Sequence, residues 1–345
     1  MTEKRKAIAL ISGGLDSMLA AKVVIDQGVH VEGINFFTGF CVEGHTHSIR
    51  KRETPRRNNA LWVAEQLGIK LHIIDVVNEY KDVVLNPRHG YGANMNPCLD
   101  CKGFMVGRAH NWMLENGFDF IITGEVIGQR PMSQRRDTMP VIARESGAHD
   151  RLLRPLCARS LAPTLPQREG WVDVEKLPAF GGRSRKPQIA LANELGFDDY
   201  AQPAGGCCFL TNSEYSSKLK DLWHSRGERD YELDDIMLLK VGRHLRPRPN
   251  FKLIIGREDG ENKFLRGYRK QFAHISTVSH FGPLTLVDGV ADSADLTYAA
   301  TIAARFSQGR DAELVRVEIT ASDGDTSTHD VTPMSADAVA RDWYV

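Results

Sequence analysis

The chain carries no net charge: 44 Lys and Arg balance 44 Asp and Glu over 345 residues. The average is therefore silent about partners, and only local clustering can speak. No apolar run approaches the roughly 20 residues needed to cross a bilayer, so a membrane partner is not expected. The opening stretch MTEKRKAIALIS leads directly into a strand-like run and does not read as a secretory leader, so a cytoplasmic location is expected. No internal repeat or low-complexity tract is present. Six cysteines in a reducing compartment argue against a disulfide framework and for metal or sulfur chemistry. Single cores rarely grow past about 250–300 residues, so two domains, or three if one is small, are expected.

What is present is unevenly distributed. Residues 240–270 hold ten Lys or Arg and three acids, whereas residues 288–342 hold eleven acids and four Arg. Arg50, Lys51, Arg52, Arg56 and Arg57 form a second basic cluster, and residues 130–190 carry twelve basic residues against six acids. Patches of this kind can footprint a polyanion, or simply be solvated faces.

Hydrophobic periodicity divides the chain. Strands near 6–11, 31–37, 70–75 and 118–123 alternate with helices near 15–27, 55–68 and 101–116, which predicts an α/β domain with a doubly wound parallel sheet. Ligands of such sheets bind beyond the carboxyl ends of the strands. That rule places Asn35, Phe36, Phe37, Asp75, Gly124 and Glu125 on one rim with the loop after the first strand. Residues 126–190 read as loops and short helices over that rim, with a helix from about 187, and a further helix near 213–225 bridges onward. From about 236 the texture changes: β-like segments at 235–241, 251–255, 282–286 and 314–319 surround one helix at 293–307. A small α+β domain is expected there.

The loop after the first strand reads Ser12-Gly13-Gly14-Leu15-Asp16-Ser17. Two glycines allow backbone N–H groups to crowd an anion, Ser12 and Ser17 add hydroxyls, and the following helix points its positive end at the charge. Asp16 suits a magnesium ion. A Walker loop would need a Lys after its last glycine, and none is there. The loop resembles that of the PP-loop pyrophosphatases, which grip the outer phosphates of ATP while the α phosphorus is attacked. The resemblance implies adenylation of an oxygen with release of pyrophosphate.

The cysteines are grouped. Cys98 and Cys101 form a C-x-x-C at a predicted helix N-terminus, where thiolate is favoured. Cys207 and Cys208 follow the Gly205-Gly206 turn about a hundred residues later. Cys98, Cys101 and one of the later pair could hold three irons of a [4Fe–4S] cluster with the fourth iron left for a sulfide. Cys101 and a later cysteine could instead carry a persulfide and resolve it as a disulfide. A four-cysteine zinc site is the plain structural alternative, although vicinal cysteines chelate one tetrahedral ion awkwardly. Cys41 and Cys157 lack partner spacing and read as ordinary thiols. His45 and His47 beside Cys41 read as a polar loop rather than a metal site.

Phosphate loop, N-P-C-x-x-C, the Gly124–Gln129 turn and the G-G-C turn occur in the order seen in tRNA thiouridine synthases, so residues 5–235 resemble the 2-thiouridylases and 4-thiouridine synthases. Leu239–His244 and Lys252–Asn262 resemble the RNA-binding domain of NFACT proteins, over about 236–345. The resemblance implies a PP-loop domain over 1–205, a linker helix region over 206–235 and an RNA-binding-like domain over 236–345. It implies an ATP-dependent tRNA sulfurtransferase that adenylates a uridine oxygen and replaces it with sulfur. Ser12, Gly13, Gly14, Asp16, Ser17, Asn35, Phe36, Gly124 and Gln129 would bind nucleotide, with Ser133 lining the pocket beside Gln129. Cys98, Cys101 and Cys207 would hold the cluster; the G-x-C-F pattern of 2-thiouridylases selects Cys208 instead. Cys98 replaces the Asp frequent in 2-thiouridylases. The RNA-binding and sulfur-relay modules of bacterial 4-thiouridine synthases have no counterpart before residue 12, so sulfide or a cysteine desulfurase relay is expected to supply sulfur. A small-metabolite PP-loop ligase or sulfurtransferase is the rival reading.

Overall fold

The computed structural model describes residues 4–42, 58–200 and 208–345. The chain divides into two compact units, Met1–Cys41 with Arg57–Cys208 and Val42–Arg56 with Phe209–Val345.

In the first unit the order is β1 (Lys6–Leu10), α1 (Leu15–Ile25), β2 (His30–Phe37), α2 (Asn59–Leu67), β3 (Leu71–Asp75), α3 (Val77–Leu85), α4 (Cys98–Glu115), β4 (Phe120–Ile122), α5 (Thr138–Glu145), β5 (Leu152–Leu153), α6 (Leu165–Arg168) and α7 (Lys186–Glu194). The sheet runs β3-β2-β1-β4-β5 with every pairing parallel. Because strand side chains alternate, Ala7 and Ala9 join a core with α1 and α2, whereas Ile8 joins Val106, Ala109 and Met113 of α4 and Ile142 of α5 on the other face. Helices therefore cover both faces, as the strand–helix alternation predicts. Local signals fix the helix ends: Asn58 accepts from the amides of Ala60 and Leu61 to start α2, and Gly68 ends it at φ +63°.

The second unit contains α8 (Ser213–Arg226), α9 (Leu233–Leu238), β6 (Arg243–Arg248), β7 (Phe251–Ile255), α10 (Asp259–Arg266), β8 (Ala273–Thr277), β9 (Thr285–Gly289), α11 (Ser293–Arg305), β10 (Val315–Thr320) and β11 (Thr326–Val331). Its sheet runs β11-β10-β8-β9-β7-β6, all antiparallel. The Ala-rich face of α11 packs on one side, against Leu253, Ile255 and Val287 among others, while Leu238 and Leu265 pack with Ile254 and Leu286 on the other. The segment at 235–241, expected to be β-like, is mostly α9. A capping box between Glu232 and Asp235 starts it, and a short apolar run such as Ile236–Leu239 has no periodicity of its own to choose between helix and strand.

Lys252 in β7 is 1% exposed, with Nζ 3.4 Å from both Asp221 and Asp288. Arg246 also donates to Asp221 at 2.9 Å. Burial would push the Asp221 carboxyl up, but the Arg246 hydrogen bond and the Lys252 charge outweigh it and hold it below its usual range. Asp221→Ala should therefore destabilise the protein by about 2 kcal/mol at neutral pH, because it takes one of two carboxylates from a buried ammonium and leaves Asp288 as its remaining partner. The lowered folded-state value means the contribution is complete above the unfolded carboxylate range, about pH 4, and is lost as pH falls through the folded value. Urea denaturation should thus show the gap between wild type and variant closing in acid.

Candidate functional site

The loop between β1 and α1 is shaped by two contacts. Asn35 of β2 donates its side-chain N–H to the Ile11 carbonyl at 2.7 Å, tying the loop to the neighbouring strand. Gly13 then adopts φ +81°, and Gly14 begins α1 with no side chain capping the helix. A helix start of this kind leaves its first amides for an anion. Ser17 Oγ donates to the Gly14 carbonyl at 2.8 Å and lies 3.4 Å from Ser12 Oγ, so the two hydroxyls flank the turn.

The segment after β4 closes on this loop. A Cβ on Gly124 would lie 2.5 Å from the Asp16 carbonyl carbon and oxygen and 2.6 Å from the Ser17 nitrogen, so only glycine permits the approach. The next residue, Glu125, is an anchor: its Oε2 accepts from Thr123 Oγ1 at 2.9 Å and from Arg154 Nε at 3.1 Å, all three groups buried. Burial alone would raise its pKa, but the charges of Lys102 and Arg154 and the Thr123 hydrogen bond hold it below the usual carboxylate range. Gly128 N–H donates to the Gln134 carbonyl at 2.6 Å, closing the following turn. Gln129 Nε2 then reaches Asp16 Oδ2 at 2.6 Å, with its own Oε1 held by buried Gln188 Nε2 at 2.8 Å. Arg185 stands 3.9 Å from the same Asp16 oxygen. Asp16 Oδ1 is buried without a hydrogen-bond partner. An orphaned carboxylate oxygen beside a phosphate-type loop fits a magnesium ion.

The C-x-x-C sits at a helix N-terminus, as its spacing predicts. Cys98 and Cys101 occupy the first turn of α4, after Pro97, and the Cys101 N–H donates to the Pro97 carbonyl at 2.8 Å. Cys98 Sγ meets Ser133 Oγ at 3.5 Å. Cys101 instead faces Tyr80 of α3. Burial pushes the Tyr80 phenol well above its usual range, and the charges of Cys101 and Cys208, a hydrogen bond to Cys101 and the charge of Cys41 reinforce it. A phenol kept protonated in this way donates to the Cys101 sulfur. Cys208 also forms an isolated antiparallel bridge with Cys41. Cys41, expected to be an ordinary thiol, thus belongs with the sulfur residues. Cys207 lies outside the described residues. Among the described residues no three Cys, His, Asp or Glu side chains group as metal ligands. Cys98 and Cys101 meet different neighbours, and the third cysteine expected for a cluster, Cys207, lies outside the described residues. Cys157 is buried, its thiol pushed up by burial to about 11, and is unreactive.

Other expected site residues are placed as follows. Phe36 is 7% exposed and packs in the core against α4 rather than presenting to the rim. Several basic residues read as polyanion contacts are engaged internally: Arg154 with Glu125, Arg168 with Asp150, Arg135 with Asp137, Arg246 and Lys252 with Asp221, and Arg257 with Glu261. Arg266, Arg269 and Lys270, at and beyond the end of α10, are exposed. The cluster Arg50–Arg57 lies outside the described residues. Tyr80 and Gln188 escaped sequence reasoning, since nothing local marks a helical Tyr or Gln as facing a site.

Residues 5–143 match the family model described as tRNA methyl transferase HUP domain, and residues 242–344 match NFACT protein RNA binding domain. The parallel-sheet unit is thus similar to a HUP domain and the antiparallel unit to an NFACT RNA-binding domain. The chain is similar to the tRNA-specific 2-thiouridylase MnmA. The Campylobacter curvus (strain 525.92) protein of that name is 30% identical over 126 residues, 35% of this chain and 35% of that one. The Pseudomonas putida (strain W619) protein is 27% identical over 223 residues, 63% of this chain and 55% of that one. The chain spans between a third and just over half of these relatives. A solved 4-thiouridine synthetase–RNA complex with bound ATP aligns at 21% identity and TM-score 0.40, covering 68% of this chain and 52% of that one.

Gly124→Ala tests the geometry directly. It should destabilise the protein by about 1–3 kcal/mol, the cost of overpacking against backbone that cannot yield, as read by urea denaturation. A glycine chosen only for loop flexibility would cost well under that.

Proposed function

We propose that this chain is an ATP-dependent tRNA uridine thiolase in which sulfur travels as a persulfide between Cys101 and Cys208. The observation that carries the reading is that Tyr80 hydrogen-bonds Cys101 while Cys208 pairs with Cys41, the residue after the Phe40 ring that packs on Tyr80. The segment 128–134 links the first turn of α4, which carries Cys101, to the phosphate loop, since it holds Gln129 on Asp16 at one end and Ser133 on Cys98 at the other. The names of the curated relatives and the match to an RNA-binding domain agree with it.

The chemistry follows from the groups present. Backbone N–H groups of residues 13–15 and the hydroxyls of Ser12 and Ser17 hold the outer phosphates of ATP, and Asp16 would hold magnesium, which screens the charge of departing pyrophosphate. The uridine oxygen attacks the α phosphorus, the bond to the β phosphate breaks, and the oxygen becomes part of an AMP leaving group. Arg185, beside Asp16, is placed to balance negative charge on the phosphates. The terminal persulfide sulfur then bonds to the ring carbon and AMP departs. Finally the second cysteine attacks the first cysteine's sulfur, freeing the thiolated base and leaving a Cys101–Cys208 disulfide. Cys101 sits in the first turn of α4, with the Tyr80 hydroxyl as its hydrogen-bond partner in these steps. An external persulfide donor, such as a cysteine desulfurase relay, supplies the sulfur: the site thiolate attacks the donor's terminal sulfur, the donor's S–S bond breaks, and the donor leaves as a thiol.

RNA binding is assigned to the second unit, with Arg266, Arg269 and Lys270 as phosphate contacts. Such contacts confer affinity without reading sequence.

Nucleoside mass spectrometry of tRNA from a deletion strain should show one thiolated uridine missing. Wild-type protein and Cys98→Ala should restore it. Cys101→Ala and Cys208→Ala should not, with activity in vitro lower by on the order of 10⁴-fold. Unchanged tRNA in the deletion strain overturns the thiolase reading. Iron and labile sulfide that disappear in Cys98→Ala would replace the persulfide with a cluster.

A further inference from the structure

Cys41 ends a tight turn after β2 whose position is fixed by aromatic packing. Gly39 takes φ +80°, and Phe40, fully buried, sets its ring 6.2 Å from that of Tyr80. Tyr80 in turn packs edge-on at 5.6 Å against Phe104, which lies one helical turn beyond Cys101. This row of rings clamps the turn, α3 and α4 together, so the residue after Phe40 has little freedom to move. Cys41 is that residue, and its backbone pairs antiparallel with Cys208. Opposed residues in an antiparallel pair have Cα atoms about 4.5–5.5 Å apart, inside the window of about 4.4–6.8 Å that a disulfide spans. Thr38 Oγ1 lies 3.5 Å from Cys41 Sγ, where its hydroxyl can donate to a thiolate.

We propose that Cys41 is the resolving thiol of the sulfur site, taking Cys208 out of the Cys101–Cys208 disulfide that sulfur transfer leaves behind. The inference rests on the persulfide reading above. The Cys41 thiolate, its proton released to solvent, attacks Cys208 Sγ. The Cys41–Cys208 bond forms, the Cys101–Cys208 bond breaks, and Cys101 leaves as a thiolate that is later reprotonated from solvent. One disulfide replaces another, so no oxidant or reductant is consumed in this step. A dithiol reductant from solution then reduces the Cys41–Cys208 bond and is itself oxidised. The direction of attack follows from the backbone pairing, which sets Cys41 opposite Cys208 rather than Cys101. Exchange frees Cys101 for its next reaction and moves the disulfide to the pair beside the Cys41 turn.

Peptide mapping of the full-length protein tests the exchange. After one turnover on tRNA without reductant, followed by alkylation, wild type should carry a Cys41–Cys208 link with Cys101 alkylated, and Cys41→Ser should carry Cys101–Cys208. Wild type that keeps Cys101–Cys208 with Cys41 alkylated overturns the proposal. Equilibration with oxidised dithiothreitol, without ATP or tRNA, reads the pairing apart from thiolation. The Cys41 link should form in wild type and vanish in Cys208→Ser, and a link persisting there through Cys207 overturns the assignment. If the link forms while tRNA gains no sulfur, the thiolase reading fails and takes the resolving role with it, but not the pairing. Under limiting dithiothreitol, Cys41→Ser and Cys41→Ala should both turn over roughly fivefold more slowly, with excess reductant restoring the rate. Rates equal to wild type under limiting reductant overturn the role.

Discussion

The contact on which the site depends is the approach of the chain after β4 to the start of α1, backbone against backbone at Gly124. Nothing larger than a hydrogen fits between that residue and the carbonyl of Asp16. Parallel pairing of β4 with β1 sets the two strand ends side by side, and the missing side chain lets the segments touch. Glu125 then locks the position through a buried ion pair with Arg154, so Gln129 arrives on Asp16 already oriented by Gln188. Preorganisation of this kind is how a loop of small residues acquires a fixed geometry without a large core of its own.

A second constraint, aromatic rather than polar, arranges the sulfur residues. Phe40, Tyr80 and Phe104 come from three separate segments, and their packing brings Cys41 and Cys101 to one buried hydroxyl. The cysteine nearest in sequence, Cys98, is turned toward Ser133. Proximity along the helix and proximity in space therefore select different partners for Cys101. That difference bears on the proposed chemistry, because thiol exchange needs sulfurs that can reach one another in turn, whereas a cluster needs three aimed at one centre.

The second unit shows how misleading a linear charge count can be. The basic stretch from Lys240 to Lys270 looks like a polyanion footprint, yet Lys252 is buried between two aspartates and Arg246 and Arg257 are held by carboxylates. The partners lie up to dozens of residues away, in α8 and β9, or within one turn on α10. Arg248 and Lys263 are exposed but paired with Asp295 and Asp259, and the group Arg266, Arg269 and Lys270 at the end of α10 is exposed as well, so affinity for a polyanion is argued chiefly from that group.

Much of the first unit was legible because its signals are local or periodic. Alternating strand and helix patterns imply a parallel sheet, and Ser12–Ser17 announces a phosphate loop because its glycines, hydroxyls and following helix are contiguous. The antiparallel domain was legible in outline, with α9 mistaken because Ile236–Leu239 is too short to show a period. The sequence by itself determined the phosphate-type loop, the two-part architecture and the candidate cysteines Cys98, Cys101 and Cys207, with Cys208 as the alternate to Cys207. Only the tertiary structure decided that Phe36 is core, that Gln188 and Arg185 attend Asp16, that Tyr80 serves Cys101 and that Cys41 stands against Cys208. Those relations join residues dozens to more than a hundred and sixty positions apart. They exist only after strand order and helix packing have chosen which distant segments touch, and no local pattern carries that choice.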